Sequence, residues 1–216
     1  HRAQPTVLSV TQSTELGTVY SVAQLTDLVT RAKESGMRVH LDGARIANAA
    51  AALGVPLRAF TTDIGIDALS FGGTKNGAMG AEAVVVLNPD AVPGVDYLRK
   101  SDMQLASKMR FISAQLVALL TDDLWLRNAR HSNAMAARLY DAMTRIDGVT
   151  VVRPAQANSV FAILPADVTS RLQEQFRFYT WDPATGEVRW MCSWDTTESD
   201  IDTFATAVAK EMGVQQ

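Results

Sequence analysis

The chain has 216 residues, an ordinary apolar content of 47%, a charged content of 20% and a formal net charge of −3 at pH 7, enough length to bury a sizeable core in one or two domains. That charge excludes the basic footprint of a nucleic-acid or anionic-membrane binder. The single Cys192 excludes an intrachain disulfide framework and suits a reducing cytosol.

Thr6–Val10 reads as a buried strand, followed by a polar loop over Thr11–Tyr20. Ser21 caps a helix with apolar positions at Val22, Leu25, Leu28, Val29 and Ala32, ending near Gly36. Arg38–Leu41 is the next strand, and Ala44–Leu53 an Ala-rich helix stopped at Gly54. Ile66–Phe71 and Ala83–Leu87 are further strand-like runs. Strands alternating with helices at this spacing predict a mostly parallel sheet. After Asn88-Pro89 the pattern changes: Leu105–Leu120 and Thr121–Ile146 read as helices, and Val149–Val152 and Ser159–Leu164 as strands. A short helix opens at Pro165, Phe176–Thr180 and Val188–Cys192 form a hairpin, and Thr196 or Thr197 caps a last helix. The expected division is 1–121 as part of a large α/β domain and 122–216 as a smaller α+β domain. No apolar stretch is long enough to span a bilayer and no signal peptide is recognisable, so a cytoplasmic setting is expected. The early first strand reads as the middle of a fold rather than the start of a protein.

Two segments carry chemistry. His40-Leu41-Asp42-Gly43-Ala44-Arg45 places an Asp at a strand end, and Ser70-Phe71-Gly72-Gly73-Thr74-Lys75-Asn76-Gly77 places a lone Lys in a Gly-rich loop after another strand. Active groups of parallel sheets sit beyond the carboxyl ends of strands. An amine and a carboxylate there suit pyridoxal phosphate: the Lys forms a Schiff base with the aldehyde, and the Asp keeps the pyridinium nitrogen protonated. Each residue also has a plain reading. Lys75 reads as a solvated loop Lys, Asp42 as a helix N-cap, Arg45 as a surface residue and Arg189 as an edge-strand charge. Against these, an Arg on a first helical turn opposes the helix dipole and suggests an anionic partner. An Arg in an alternating strand can grip a carboxylate through two N–H groups. His40 and His131 read as structural or surface residues, Cys192 as a small buried apolar residue, and Trp181, Trp190 and Trp194 as packing. The Gly-rich loop lacks the order of a nucleotide phosphate loop.

Together the two motifs resemble the PLP-dependent low-specificity threonine aldolases, in the aromatic amino acid β-eliminating lyase/threonine aldolase family of fold-type I. The resemblance runs from about Thr6 to the last helix. It implies a lyase that cleaves L-threonine or related β-hydroxy-α-amino acids to glycine and an aldehyde. It further implies that Lys75 is the Schiff-base residue and Asp42 the ring-nitrogen partner. Arg45 is implied near the cofactor and the substrate carboxylate, Arg189 as the small-domain carboxylate clamp, and Arg110 as the Arg that reaches the cofactor phosphate of a neighbouring subunit in a homodimer or homotetramer. Many family members carry Asn-Thr-His-Asn after the first strand; here Ser13-Thr14-Glu15-Leu16 puts Glu15 where a residue contacts the substrate hydroxyl. The family's N-terminal phosphate cup is not recognisable in these residues, so the 216 residues alone are expected to hold PLP weakly and to be inactive. The rival readings are another fold-type I enzyme (a β-eliminating lyase or aminotransferase) and a truncated, non-catalytic fragment.

Overall fold

A computed structural model describes residues 1–213. The chain forms two compact units, His1–Glu15 with Val19–Arg127, and Leu16–Thr18 with Asn128 onwards.

In the first unit, strands β1 (Val7–Thr11), β2 (Arg38–Gly43) and β3 (Ala68–Gly72) are parallel neighbours, and β4 (Glu82–Val86) closes the edge antiparallel to β3. Helix α1 (Val22–Glu34) starts with a capping box in which Ser21 and Gln24 satisfy each other's backbone amides. It buries Leu25, Val29 and Ala32. Helix α2 (Ile46–Leu53) ends at Gly54, whose φ of 66° is the left-handed conformation that glycine adopts without strain. Alternation in β2 turns Val39 and Leu41 into the core, where they meet Leu25, Val29, Ile46, Phe60 and Leu69. Each such side chain contributes roughly 1.5–3 kcal/mol on burial.

The expected start of α2 at Ala44 is two residues early. Asp42 Oδ1 accepts the Ala44 amide at 3.0 Å, and the helix begins at Ile46 with Arg45 as a cap that offers no side-chain bond. Asp42 therefore closes a turn and is not the helix N-cap. Helix α3 (Val95–Ser101) escapes a periodicity reading because it buries none of its residues. Helix α4 (Met109–Leu120) begins later than Leu105. It is separated from α5 (Leu124–Met143) by Asp122 and Asp123, with φ of 49° and 54°. Aspartate tolerates this left-handed region better than most residues, and it breaks what reads locally as one helical run from Thr121.

The second unit carries an antiparallel sheet in the order β5 (Thr150–Val151), β6 (Ser159–Ile163), β8 (Glu187–Met191) and β7 (Tyr179–Asp182). Val160, Ala162, Val188 and Trp190 face a core shared with Leu139 and Met143 of α5, Leu172 of α6 (Ala166–Gln175) and Val208 of α7 (Glu198–Glu211). Thr197, not Thr196, caps α7, through a capping box with Asp200. The strand expected at Phe176–Thr180 is displaced to Tyr179–Asp182. Phe176 and Phe178 pack edge-to-face on Phe204, and Phe178 and Phe204 in turn on Trp190. Trp194 is exposed, so it is not a packing residue.

Candidate active site

Asp42 and Lys75 lie at the same edge of one sheet. Strands β2 and β3 are parallel with Asp42 opposite Ser70, so both chains leave the sheet at the edge where Asp42 sits. Three residues beyond the end of β3, Lys75 lies in a one-turn 3-10 helix over Thr74–Asn76.

Glycine makes this approach possible. A Cβ on Gly72 would stand 2.5 Å from the Ala44 carbonyl oxygen and 2.8 Å from its Cα. Only a residue without a side chain lets the end of β3 pass against the backbone that follows Asp42. At Gly73 a Cβ would meet the Ala81 carbonyl oxygen at 2.4 Å. The two strand-end loops are thus drawn together by backbone contact rather than by side-chain pairing.

The Lys75 turn is fastened on several sides. Thr74 N donates to Glu82 Oε1 at 3.0 Å, and buried Asn76 donates through Nδ2 to the Trp125 carbonyl at 2.8 Å. Gln115 Oε1 on α4 accepts the amides of Met79 and Gly80 at 2.9 and 3.2 Å. Lys75 itself is exposed and makes no side-chain hydrogen bond or ion pair with a described residue. The fastenings Asn76, Glu82 and Gln115 went unread in the sequence. The one available signal was an amide or carboxylate within a few residues of the glycines, and that does not name a partner dozens of positions away.

Asp42 is half-buried, and beyond the Ala44 amide its carboxylate accepts from no described residue. An oxygen of this acceptor is open to a ligand. Two residues back on the same face, His40 is hydrogen-bonded to Ser9 Oγ through Nδ1 and to Ser70 Oγ through Nε2, each at 2.8 Å. That row across three strands matches the structural reading of His40. Arg45 lies 3.9 Å from Glu15, and Glu15 is exposed. Arg110 is exposed in the first turn of α4.

In the second unit Arg189 is half-buried on β8, with its guanidinium 4.4 Å from the centre of the Trp181 ring. His131 Nε2 donates to the Thr196 carbonyl at 2.6 Å, a structural bond. Burial pushes the Cys192 thiol up to about 12, which leaves it protonated and inert as a nucleophile. No group of three or more His, Cys, Asp or Glu among the described residues is placed to hold a metal ion. No helix among them is long and apolar enough to cross a membrane.

The beta-eliminating lyase profile matches residues 1–167. The chain belongs to the beta-eliminating lyase family. Among the relatives of this beta-eliminating lyase family member, the low specificity L-threonine aldolase of Pseudomonas sp. (strain NCIMB 10558) is 41% identical over 213 residues, 98% of this chain and 61% of the relative. That of Pseudomonas aeruginosa is 41% identical over 214 residues, 99% of this chain and 62% of the relative. The solved structure of Leishmania major threonine aldolase superposes with a TM-score of 0.88 at 30% identity, covering 96% of this chain and 61% of that one. A putative L-allo-threonine aldolase from Listeria monocytogenes shares the fold, with a TM-score of 0.74 at 14% identity over 94% of this chain and 60% of that one. The chain thus spans about three fifths of the length of the curated relatives it matches. Within the family, its mostly parallel sheet and smaller α+β region are the fold-type I architecture.

Proposed function

We propose that this chain provides the Schiff-base lysine, the ring-nitrogen carboxylate and the small domain of a PLP-dependent aldolase acting on L-threonine or a related β-hydroxy-α-amino acid. The observation that carries the reading is the edge shared by Asp42 and Lys75, on strand ends that Gly72 brings into backbone contact. These residues fit the cofactor. The fastened turn presents an exposed amine, and the neighbouring strand end presents a carboxylate oxygen with no partner among the described residues. The 41% identical relatives named as low specificity L-threonine aldolases support the same substrate class.

When bound, pyridoxal phosphate supplies an electron-withdrawing ring. Lys75 would hold its aldehyde carbon, and Asp42 would keep a proton on its ring nitrogen through a charge-assisted hydrogen bond. Arg45 and Arg189 are each assigned to the amino acid's carboxylate, Glu15 to its β-hydroxyl, and Arg110 to the cofactor phosphate of a second subunit. A homodimer or homotetramer agrees with the run of exposed apolar side chains at Tyr97, Leu98, Met103, Leu105, Phe111, Val117 and Leu120. The first compact unit is then the cofactor-binding part, and the second is the small domain. A cytoplasmic location belongs to the same reading.

The test is to load the full-length enzyme with PLP, reduce it with borohydride and map the labelled peptide, while assaying glycine and aldehyde from L-threonine. Label on Lys75 with glycine and aldehyde as products supports the reading. Label elsewhere removes Lys75 from the site, and ammonia with a keto acid as products moves the activity to β-elimination.

A further inference from the structure

Resting on the assignment of Arg189 to the substrate carboxylate, we propose that Trp181 is a positioning residue that holds the Arg189 guanidinium in its binding orientation. The two residues lie on adjacent antiparallel strands. The ladder between β7 and β8 pairs Tyr179 with Arg189 and Thr180 with Val188, then jumps to Asp182 with Glu187. Trp181 is the residue left over, a bulge in the edge strand. A bulged residue escapes strict alternation, and bulges re-aim side chains. Here the guanidinium carbon of Arg189 stands 4.4 Å from the Trp181 ring centroid. That is cation–π contact with the aromatic face that attracts a cation most strongly.

The stack is supported from behind. The Phe161 ring meets Trp181 edge-on, with centroids 5.7 Å apart. Phe161 is 1% exposed although it pairs in register with Arg189, on the sheet face opposite Val160 and Ala162 of the core. Two things bury it. The guanidinium of Arg153 lies 4.4 Å from its centroid and is itself tied to Glu187 at 2.8 Å. The backbone of Gly17 passes so close that a Cβ there would stand 3.2 Å from Phe161 Cε2 and 2.3 Å from Ser159 Oγ. The order of support is therefore Gly17 and Arg153 on Phe161, Phe161 on Trp181, and Trp181 on Arg189. A ring over one face of a guanidinium limits its rotation, and it does so from a direction other than the in-plane N–H edge through which bidentate carboxylate binding takes place.

The experiment uses the PLP-loaded full-length enzyme and measures the Kd for glycine and the KM and kcat for L-threonine in Trp181→Leu, Trp181→Phe, Arg189→Ala and Trp181→Leu/Arg189→Ala. A cofactor-independent measurement accompanies it: the Arg189 Nε–H proton resonance in nitrogen-15-labelled protein. Trp181→Leu should raise Kd and KM about tenfold with kcat within about twofold, and should remove the ring-current shift of that proton. Trp181→Phe should show a smaller rise in the same direction, because a phenyl ring keeps part of the cation–π attraction; it also serves if the Leu variant does not fold. In the Arg189→Ala background Trp181→Leu should add little. An unchanged glycine Kd in both Trp181 variants, or full additivity in the double variant, overturns the proposal while leaving the Arg189 assignment standing. An unchanged glycine Kd in Arg189→Ala overturns that assignment and this proposal with it.

Discussion

One sheet of this protein carries two aspartate–lysine sets, and they differ in whether they are closed. Near the start of β3, Asp67 is 1% exposed and both of its carboxylate oxygens are engaged. Its Oδ2 accepts from Lys33 Nζ at 2.5 Å and Val39 N at 2.7 Å, and its Oδ1 accepts from Asn88 Nδ2 at 2.7 Å. Its carbonyl takes the amides of Leu87 and Asn88. Helix α1, the start of β2, the start of β3 and the exit of β4 are thus tied through one carboxylate. At the opposite edge Asp42 keeps acceptor capacity and Lys75 is exposed without a described partner. A closed set contributes stability and has nothing left for a ligand. An open set contributes little to the fold and is available for chemistry.

Substitutions should separate the two sets. The largest effect is expected for Lys75→Ala in the PLP-loaded full-length enzyme: aldehyde release should fall on the order of 10³-fold or more. Its unfolding free energy should stay within about 0.5 kcal/mol of wild type, as for other exposed positions. A large loss of stability in chemical denaturation would show that Lys75 is structural after all. Asp67→Ala should do the reverse. It strands Lys33, Val39 N and Asn88 and should cost about 3 kcal/mol in urea unfolding, with turnover per folded molecule nearly unchanged.

Gly72→Ala should sit between these, because it acts on the frame that joins the open pair. Its Cβ would press on the Ala44 backbone, so it should lower stability by roughly 1–3 kcal/mol and weaken PLP retention more than Gly54→Ala does. Equal PLP retention in the two variants would show that the close approach of the strand ends is not needed for the site.

The smallest and most diagnostic effect is in acid. Burial pushes the Asp67 carboxyl up, but the Lys33, Val39 and Asn88 hydrogen bonds and the Lys33 charge together hold it below the ordinary aspartate value. A depressed folded-state pKa contributes stability that is fully present above the unfolded value, about 3.9, and is lost as pH falls through the folded one. The stability gap between wild type and Asp67→Asn should therefore be constant near neutrality and shrink below about pH 4. A gap that widens on acidification would reverse the assignment.

Much of the candidate site was legible because its signals are local. Asp42 stands at the end of one apolar run and Lys75 a few residues beyond another, with glycines beside them, and strand-end placement follows from the alternation of strands and helices. The strand placement of Arg189 was legible from the alternation of Glu187–Cys192. The support of these residues was not legible. Asn76 meets Trp125 and Gln115 meets Met79 across 49 and 36 positions, and nothing in either neighbourhood specifies the other.

The same division holds for the whole chain. The sequence by itself determined the helix start at Ser21, a last helix capped at Thr196 or Thr197, the stop at Gly54, the apolar face of α1 and the buried, inert character of Cys192. Capping, left-handed turns and burial periodicity are decided within about one or two turns of chain. Only tertiary structure decided that β4 runs antiparallel, that Asp122 and Asp123 break the helix, and that Asp67 is the closed carboxylate and Asp42 the open one. It alone placed Trp181 over Arg189 and Gly72 against Ala44. Those outcomes depend on which distant strands and loops meet, and on the hydrogen bonds and close contacts left to satisfy once they have met.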